Sequence, residues 1–384
     1  MTFFDLGLGN GLRNKLAEAN ALKKSDLPRT LVSTTYALLA IISLAFFLCF
    51  LLFNHFANWN TILNTGASSY NFNRLAILVF GLFCLQFVVQ TINTVLTACH
   101  LIFKVSLIVL ISQVLVFIAI YFLIRFTSSS LFLLVLVNGA APILIQLTAS
   151  LWYYKSDLRY LAPGLRFINF GYSKELLSLG GVFFIIQIGA LVLFQTDNIV
   201  VAQLFGPAQV TTFNVAYKLF SVFIFGFSVI ISPFWSEFTD AYAKKDFPWI
   251  RLIMVKMRYV WVFISLGTVV LLLLASYIYP LWLNHSAVTV PVSLSLAMTF
   301  YVIVYVWQTT HVYLLNGISK IRLQLYLVVF CSLINIPLAI FLAHKIGLAG
   351  VTWSNSILFL LMGVIFSYQT KQILNSSAKG ILDA

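Results

Sequence analysis

Long apolar stretches separated by short polar segments dominate this chain from residue 31 to residue 371. Each stretch holds about 20 or more mostly apolar residues, and about 20 are needed for a helix that crosses a bilayer. Strands of a membrane β-barrel are excluded, because they run for only about ten residues and alternate apolar with polar. The ten predicted spanning helices cover residues 31–53, 75–97, 105–124, 131–153, 181–201, 210–233, 258–282, 292–315, 321–343 and 349–371.

The composition points to the bilayer as the solvent of these helices. The chain is 61% hydrophobic and only 9% charged, whereas a soluble domain carries about 25% charged residues. A water-soluble fold of 384 residues has no interior large enough to hide that much apolar surface. We therefore predict an all-α integral membrane protein.

Part of the pattern occurs twice in the chain. Residues 90–104 (QTINTVLTACHLIFK) and 308–322 (QTTHVYLLNGISKIR) match at one fixed shift of about 218 positions. A repeat of this length is too long for a solenoid or propeller unit and is typical of the duplicated halves of secondary transporters. Six helices in each complete half would give a parallel 6+6 arrangement of two bundles. The matched positions are Gln90 with Gln308, Thr91 with Thr309, Asn93 with His311, Leu96 with Leu314, and Lys104 with Arg322.

The spans divide unevenly around the longest inner connection. Four spans precede it and six follow it. We therefore predict an incomplete N-terminal bundle at 1–153, a cytoplasmic linker at 154–180 and a C-terminal six-helix bundle at 181–384. By the repeat shift, residues 1–12 correspond to the end of a helix whose beginning is absent. The alternative is a naturally shorter protein.

Basic residues are concentrated in alternate connections. The net charge of +13 could suggest a nucleic-acid partner, but the basic segments fall on one side of the membrane if the helices alternate. This distribution follows the positive-inside rule and places both termini in the cytoplasm. The charge therefore indicates orientation, and we expect no nucleic-acid partner. The basic segments are 13–29, 155–174 and 244–258, and the cations of the opposite connections are Arg74, Arg125 and Lys345.

No sequence motif indicates an enzyme or a bound cofactor. Walker, GxSxG and HExxH motifs are absent, and the four cysteines have no metal-ligand spacing. The longest connection on the predicted outer side, 54–74, leaves little room for an external catalytic domain. We therefore expect a transporter with no cofactor and no metal, apart from a coupling ion.

Two ionisable residues lie inside predicted spans, and both are functional candidates because charge is costly in lipid. Asp197 and Lys218 lie on either side of the short hairpin AQLFGPAQ. Counted from that hairpin, both are predicted in the outer half of the bilayer, where they could approach each other. In one interpretation Lys218 attracts an anionic head group and Asp197 binds a coupling ion, either a proton or sodium. In the alternative interpretation the two residues form an ion pair that holds two helices together.

Other polar residues follow these charges along both helices and predict a wet cavity. On the first helix Gln187 and Asn198 are predicted on nearly the same face, flanked by Gln195 and Asp197. On the second helix Asn214, Lys218 and Ser221 follow i, i+4, i+7 spacing. The repeat adds Gln90 and Asn93 in the front half, with Gln308 and His311 in the back half. Those four either line the inner end of the cavity or form hydrogen bonds that fix helix packing.

Residues 193–246 resemble the Wzx-type polysaccharide and O-antigen flippases of the multidrug/oligosaccharidyl-lipid/polysaccharide exporter superfamily. The likeness rests on Asp197 followed by Asn198, on the LFGPAQV turn, on the TFNVAYKLF start of the next helix and on the segment SPFWSEFTDAY. Residues 3–19 (FFDLGLGNGLRNKLAEA) look like the end of the second helix in this family.

The resemblance implies a flippase that moves undecaprenyl-pyrophosphate-linked oligosaccharide repeat units across the bacterial inner membrane by alternating access. It implies that Lys218 meets the pyrophosphate and that an ion gradient drives transport. Lipid-linked oligosaccharide and membrane lipids are the implied partners, with polysaccharide-assembly proteins as further candidates. A multidrug-type small-molecule exporter is an alternative. A membrane glycan polymerase or ligase is a second one, which the short outer connections disfavour.

Overall fold

The computed structural model describes residues 7–24, 26–57, 59, 72–126, 130–283 and 289–383. Over those residues the regular secondary structure is helical, with no strand. Parts of two predicted segments, residues 1–6 of the helix end at 1–12 and residues 60–71 of the connection at 54–74, lie outside them. The α-helices are α1 (Leu8–Ala21), α2 (Leu27–Phe56), α3 (Phe72–Val89), α4 (Thr91–Ala98), α5 (Ile102–Phe126), α6 (Leu131–Lys155), α7 (Ser173–Phe205), α8 (Pro207–Ile231), α9 (Phe234–Ala243), α10 (Phe247–Trp282), α11 (Val292–Gly317), α12 (Arg322–Ile346) and α13 (Ala349–Leu374).

The predicted membrane-spanning helices are present. In the described part of the chain, ten helical stretches are long and apolar enough to cross a membrane, and each overlaps one predicted span. Two of these stretches combine two helices separated by a short break, α3 with α4 and α8 with α9. The prediction of an all-α integral membrane protein with ten spanning helices is confirmed.

Two helices, α7 and α10, begin eight or more residues before their predicted spans, and polar residues at their first turns explain why. The Asp246 side chain accepts a 3.1 Å hydrogen bond from the Trp249 amide, so α10 starts at Phe247 instead of at residue 258. Helix α7 starts at Ser173, inside the predicted linker. Glu175 lies in its first turn, where a carboxylate interacts favourably with the helix dipole. Helices therefore continue beyond the apolar spans.

The chain forms two compact units, Met1–Gly180 and Gly181–Ala384. In the first unit, α1 packs on α2 and α4, α3 contacts α2 and α6, and α5 packs on α6. The segment after α6 is tied to α2. The Arg29 Nε atom donates to the Ala162 carbonyl (2.8 Å), and the Gly164 amide donates to the Ser33 hydroxyl (3.1 Å).

Helix α11 lies at the centre of the second unit and contacts α8, α9, α10 and α13. In their membrane windows, 61% of α11 and 67% of α13 is buried, against 17% for α10 and 22% for α12. Polar side chains on α11 and α13 therefore lie inside the unit and need partners there.

The two copies of the sequence repeat end their helices in the same way. After α4 and after α11, a non-glycine residue takes left-handed backbone angles, His100 with φ 62° and Ser319 with φ 61°. The next amide in each case bonds to the carbonyl five residues back, which is a helix-ending motif with two capping bonds. His100 and Ser319 are one position further apart along the chain than the matched residues Gln90 and Gln308. Gln90 lies at the break between α3 and α4, whereas α11 is continuous, and the break absorbs the difference.

Candidate functional site

Asp197 of α7 is buried inside the second unit, with 8% of its surface exposed. Its Oδ2 atom accepts a 2.6 Å hydrogen bond from the side-chain amide of Asn355 on α13. Its Oδ1 atom is buried and has no hydrogen-bond partner among the described residues. A buried carboxylate oxygen without a partner is costly, so this atom marks a place where a small ligand, an ion or a proton would be stabilised.

The bond to Asp197 is the last of a chain of three hydrogen bonds that crosses three helices. The Thr196 hydroxyl on α7 donates to the Asn335 side-chain oxygen on α12 (3.1 Å). The Asn335 amide donates in turn to the Asn355 side-chain oxygen (2.6 Å). Both amide groups are thus oriented, and the Asn355 donor points at Asp197.

A close contact between α7 and α12 brings Thr196 and Asn335 within hydrogen-bonding distance. Gly189 lies two turns before Thr196, and a side chain there would collide with Val328 of α12. The Ser332 hydroxyl of α12 also donates to the Gly189 carbonyl at 3.0 Å. Because glycine lets the helices approach closely, Asn335, one turn beyond Ser332, lies opposite Thr196.

A second pair of polar side chains joins α7 to α8 beside Asp197. The Asn214 side-chain amide donates to the Asn198 side-chain oxygen and to the Val210 carbonyl, both at 2.9 Å. Asn198 is therefore held in one orientation from the neighbouring helix. The predicted polar stripes of these two helices do meet at this level.

These groups surround a cavity of about 140 Å³ in the second unit. Its volume suits an ion with a few waters, not an oligosaccharide. Over the described residues no group of three or more His, Cys, Asp and Glu side chains could hold a metal ion. One carboxylate among neutral oxygens and aromatic rings fits a proton or a monovalent cation. The cavity is lined by Gln195, Asp197, Asn198, Phe213, Asn214, Tyr217, Met298, Tyr301, Thr352 and Asn355.

Lys218 does not line this cavity, and the structure corrects the predicted approach to Asp197. In the part of the chain that the structure describes, no ion pair joins Lys218 to Asp197. The preceding residue, Tyr217, faces the cavity, and one residue further turns the helix by about 100°. Lys218 therefore falls on the exposed face of α8, which continues with Val222 and Phe225.

The two remaining predicted residues of this unit's stripes are apart from the cavity. Gln187 lies about three turns before Asp197 on α7, and its buried Oε1 atom has no hydrogen-bond partner among the described residues. The Ser221 hydroxyl donates to the Lys218 carbonyl of its own helix at 3.0 Å, which is an ordinary arrangement for a buried serine in a helix.

The four residues taken from the repeat lie in different surroundings. Gln90 and Asn93 belong to the first unit, at the break between α3 and α4 and in the first turn of α4. Gln308 is buried in α11, where its side-chain oxygen accepts from the Thr309 hydroxyl (3.4 Å). His311 lines a second, separate cavity of the second unit.

Sequence reasoning missed the partners of Asp197. Asn335 and Asn355 are 0% and 3% exposed, and both lie in predicted spans. An amide inside an apolar span was the available signal, since such a side chain needs a hydrogen-bond partner in lipid. The site residues predicted from the sequence belong to the two helices that carry Asp197 and Lys218 and to the repeated segments, and none belongs to α12 or α13.

Comparison with known protein families identifies the family of this chain. A family profile described as "Polysaccharide biosynthesis protein" matches residues 1–239, well over half of the chain and including Asp197 with the whole of α7 and α8. The chain belongs to this family. This family match, with the relatives reported next, confirms the resemblance to Wzx-type flippases.

Two curated relatives carry transport names. A "Putative O-antigen transporter" of Salmonella typhi is 26% identical and covers 96% of this chain and 85% of its own length. A "Putative O-antigen export protein" of Yersinia pseudotuberculosis is 25% identical and covers 56% of this chain and 48% of its own length.

Solved structures share the fold at low sequence identity. A MATE transporter in the bent conformation superimposes with a TM-score of 0.80 at 16% identity, covering 98% of this chain and 84% of its own. A transporter of the same superfamily from Pyrococcus furiosus gives 0.79 at 14% identity, with 99% and 86% covered. These matches establish the transporter fold.

Proposed function

We propose that this protein is a flippase that moves undecaprenyl-pyrophosphate-linked oligosaccharide repeat units across the bacterial inner membrane. The family and the two relatives named for O-antigen transport and export support this substrate class. The units Met1–Gly180 and Gly181–Ala384 would act as the two bundles of an alternating-access cycle. The placement of basic residues supports cytoplasmic termini, and polysaccharide-assembly proteins are the natural partners.

The observation that carries the mechanism is the half-satisfied carboxylate of Asp197. Its Oδ2 atom is bonded to Asn355 while its Oδ1 atom is buried without a partner in the described part of the chain. A charge left in this state is unfavourable, and binding a proton or a sodium ion relieves the cost. Alternating loss and recovery of that ion would couple a gradient to conformational change. Asp197 is thus the proposed coupling residue.

The remaining candidate residues are proposed to contact the substrate or to shape its path. Lys218 is an exposed cation within a spanning helix, and a cation there attracts pyrophosphate strongly because the surroundings have a low dielectric constant. The polar residues assigned with it to substrate or ion binding are Gln187, Gln195, Asn198, Asn214, Ser221, Gln90, Asn93, Gln308 and His311.

Replacing Asp197 with Asn tests the coupling role in the full-length protein. The change keeps the shape of the side chain and removes its ability to release a proton. We expect surface-glycan export to fall at least tenfold in cells that depend on this protein, at equal abundance in the membrane. Asp240→Asn is the matched control, because Asp240 forms an exposed ion pair with Lys244 and lies outside the cavity. Undiminished export by Asp197→Asn would refute the coupling role.

The coupling ion and the substrate can be separated in proteoliposomes. Translocation of a polyprenyl-pyrophosphate oligosaccharide would be followed under an imposed proton gradient or an imposed sodium gradient. A gradient of the coupling ion should accelerate translocation by the parent protein and leave translocation by Asp197→Asn unchanged. A parent protein that translocates no such lipid under either gradient contradicts the flippase assignment itself.

A multidrug-type exporter is the second candidate, and the aromatic lining of the cavity favours it. Phe213, Tyr217 and Tyr301 beside the carboxylate of Asp197 are suited to the charged end of a lipophilic cation, the part of such a ligand that a cavity of about 140 Å³ could accept. Such an exporter would lower the sensitivity of cells to cationic dyes, and the Asp197→Asn change would abolish that effect. Dye resistance without glycan export would select this function.

A further inference from the structure

A second cavity of about 490 Å³ lies within the second unit, between α10, α11 and α13. It opens near the first turns of α10 and the last turn of α13, because Arg251 and Lys371 both line it. It shares no lining residue with the cavity of Asp197. Of the residues proposed above for substrate or ion binding, His311 lines it.

The charges around this cavity are all positive. Among the described residues that line it, the charged ones are Arg251, Arg258 and Lys371, and none is a carboxylate. Over the described residues none of these three cations forms an ion pair. Three uncompensated cations around one recess repel one another, and an anion bound there would relieve that repulsion.

The cations are spaced along the wall of the cavity. Arg251 and Arg258 are two turns apart on α10, roughly 10 Å along the helix axis, so they share one face. The Arg251 guanidinium also donates to the Leu374 carbonyl at the end of α13, which fixes that side chain at the rim. Arg258 and Lys371 have no such bond in the described part of the chain and are exposed.

The neutral lining supplies further groups suited to an oxyanion. The hydroxyl of Thr370 lies 3.3 Å from Nδ1 of His311, and both residues line the recess. The Trp261 indole donates to the Ile303 carbonyl at 2.9 Å, so its ring is held in place. Tryptophan with arginine and lysine at a helix end is typical of the boundary between lipid and water.

Apolar surface continues directly from the recess. Val255 lines the cavity and is 43% exposed, and its helix neighbour Tyr259 is 72% exposed. A ligand whose phosphate enters the recess can therefore lay an acyl chain along α10. A soluble anion would gain nothing from this surface, which favours an amphipathic ligand.

We propose that this cavity binds the phosphate head group of an anionic phospholipid, with Arg258 and Lys371 holding the phosphate oxygens. Basic pockets between spanning helices on the cytoplasmic side are suited to such head groups, and bonds between arginine and phosphate are charge-assisted. The bound lipid would fasten the end of α13 to α10. Arg258 and Lys371 have no role in the proposed flippase cycle, so this proposal does not depend on that activity.

Native mass spectrometry of the purified full-length protein, titrated with phosphatidylglycerol, tests the site. The Arg258→Gln/Lys371→Gln variant should bind phosphatidylglycerol about tenfold more weakly than the parent, while weak binding of phosphatidylcholine stays unchanged. Lys256→Gln/Lys379→Gln is the matched control. It removes two charges from the same region at residues that do not line the cavity, and its affinity should stay within about twofold of the parent.

A variant that preserves charge separates binding from folding. Arg258→Lys/Lys371→Arg should keep most of the affinity, whatever the stability of the glutamine variant. Equal affinity of the parent and the glutamine variant overturns the proposal. Two competitors identify other occupants: displacement by inorganic pyrophosphate at equal concentration would assign the site to a soluble anion, and displacement by a polyprenyl pyrophosphate at lower concentration would assign it to the transported lipid. Either result would replace the phospholipid.

Discussion

The side-chain amide of Asn355 donates a 2.6 Å hydrogen bond to Oδ2 of Asp197, across 158 positions of the chain. This bond joins α13 to α7 and holds the buried carboxylate in one orientation. The other carboxylate oxygen is left without a partner in the described part of the chain, and Asp197 lines a small cavity. The same bond therefore stabilises the packing of the second unit and orients Asp197 in the proposed ion site.

Replacing Asn355 with Ala should lower both stability and transport. The change removes the donor to Asp197 and the acceptor of Asn335, and polar bonds between membrane helices are worth about 1 kcal/mol. Thermal unfolding in detergent should show the apparent Tm falling by a few degrees. Asn138→Ala is the control, because within the described part of the chain the Asn138 amide bonds only to the Leu134 carbonyl of its own helix. An equal loss in both variants would contradict the role of Asn355.

Two helical glycines should respond in opposite directions to the same substitution. Gly189→Ala puts a methyl group against Val328 and Ser332, which should cost about 1–3 kcal/mol through overpacking. Gly226→Ala meets nothing within 4 Å and should be neutral or stabilising by up to about 1 kcal/mol, since alanine favours the helix. Thermal unfolding of the Gly189→Ala and Gly226→Ala proteins beside the parent measures both effects. A Gly189→Ala protein as stable as the parent would show that α7 and α12 are not closely packed.

Replacing Lys218 with Gln should reduce glycan export without changing stability. The side chain is exposed and forms no ion pair among the described residues, so unfolding should shift by less than about 0.5 kcal/mol. Lys345→Gln is the control, because Lys345 is an exposed lysine in the last turn of α12. Normal export by Lys218→Gln at normal abundance would remove Lys218 from the substrate path.

The contact between α1 and the start of α7 should depend on salt and on alkaline pH. Lys15 Nζ lies 2.5 Å from Glu175 Oε1. Burial opposes the charge, but the bonds to Glu175 and Glu18 outweigh it and raise the pKa of Lys15 above its usual 10.5. The contribution is therefore complete below about pH 10 and is lost as the pH rises through the raised pKa.

Glu175→Gln measures the size of that contribution. The free energy of unfolding should fall by at most about 1 kcal/mol at low salt, because the ion pair is partly exposed. It should fall by less at high salt. The difference between variant and parent should also shrink in strongly alkaline buffer. A loss that is independent of salt and pH would mean that Glu175 stabilises the helix start by some other route.

Replacing Lys245 with Gly should stabilise the turn after α9. Lys245 has φ 60°, a left-handed conformation that glycine adopts without strain. The expected gain is about 0.5–1 kcal/mol. Lys244→Gly is the control, because Lys244 has φ −82° and glycine there should not stabilise. A loss of stability in Lys245→Gly would show that the lysine side chain, not the backbone, maintains the turn.

The spanning helices followed directly from the sequence because their signal is local. Each predicted span is a continuous apolar run, and the bilayer imposes the same length on every one. The ends were less predictable. Asp246 starts α10 eleven residues before the predicted span, since a cap in the interfacial region is independent of the apolar count. The polar character of Asp197, Asn198 and Asn214 was likewise visible in the sequence, and the structure places all three at one cavity.

The partners of those residues were decided only by the tertiary structure. Whether Asp197 meets Lys218 or Asn355 depends on the rotation of α8 and on the depth at which α13 packs, and neither leaves a trace in local spacing. Tyr217 takes the side of α8 that faces the cavity, so its neighbour Lys218 points elsewhere. Sequence therefore determined which side chains are polar within the membrane, because hydropathy is a property of each residue. Packing determined which of them touch, because contact is a property of pairs far apart in the chain.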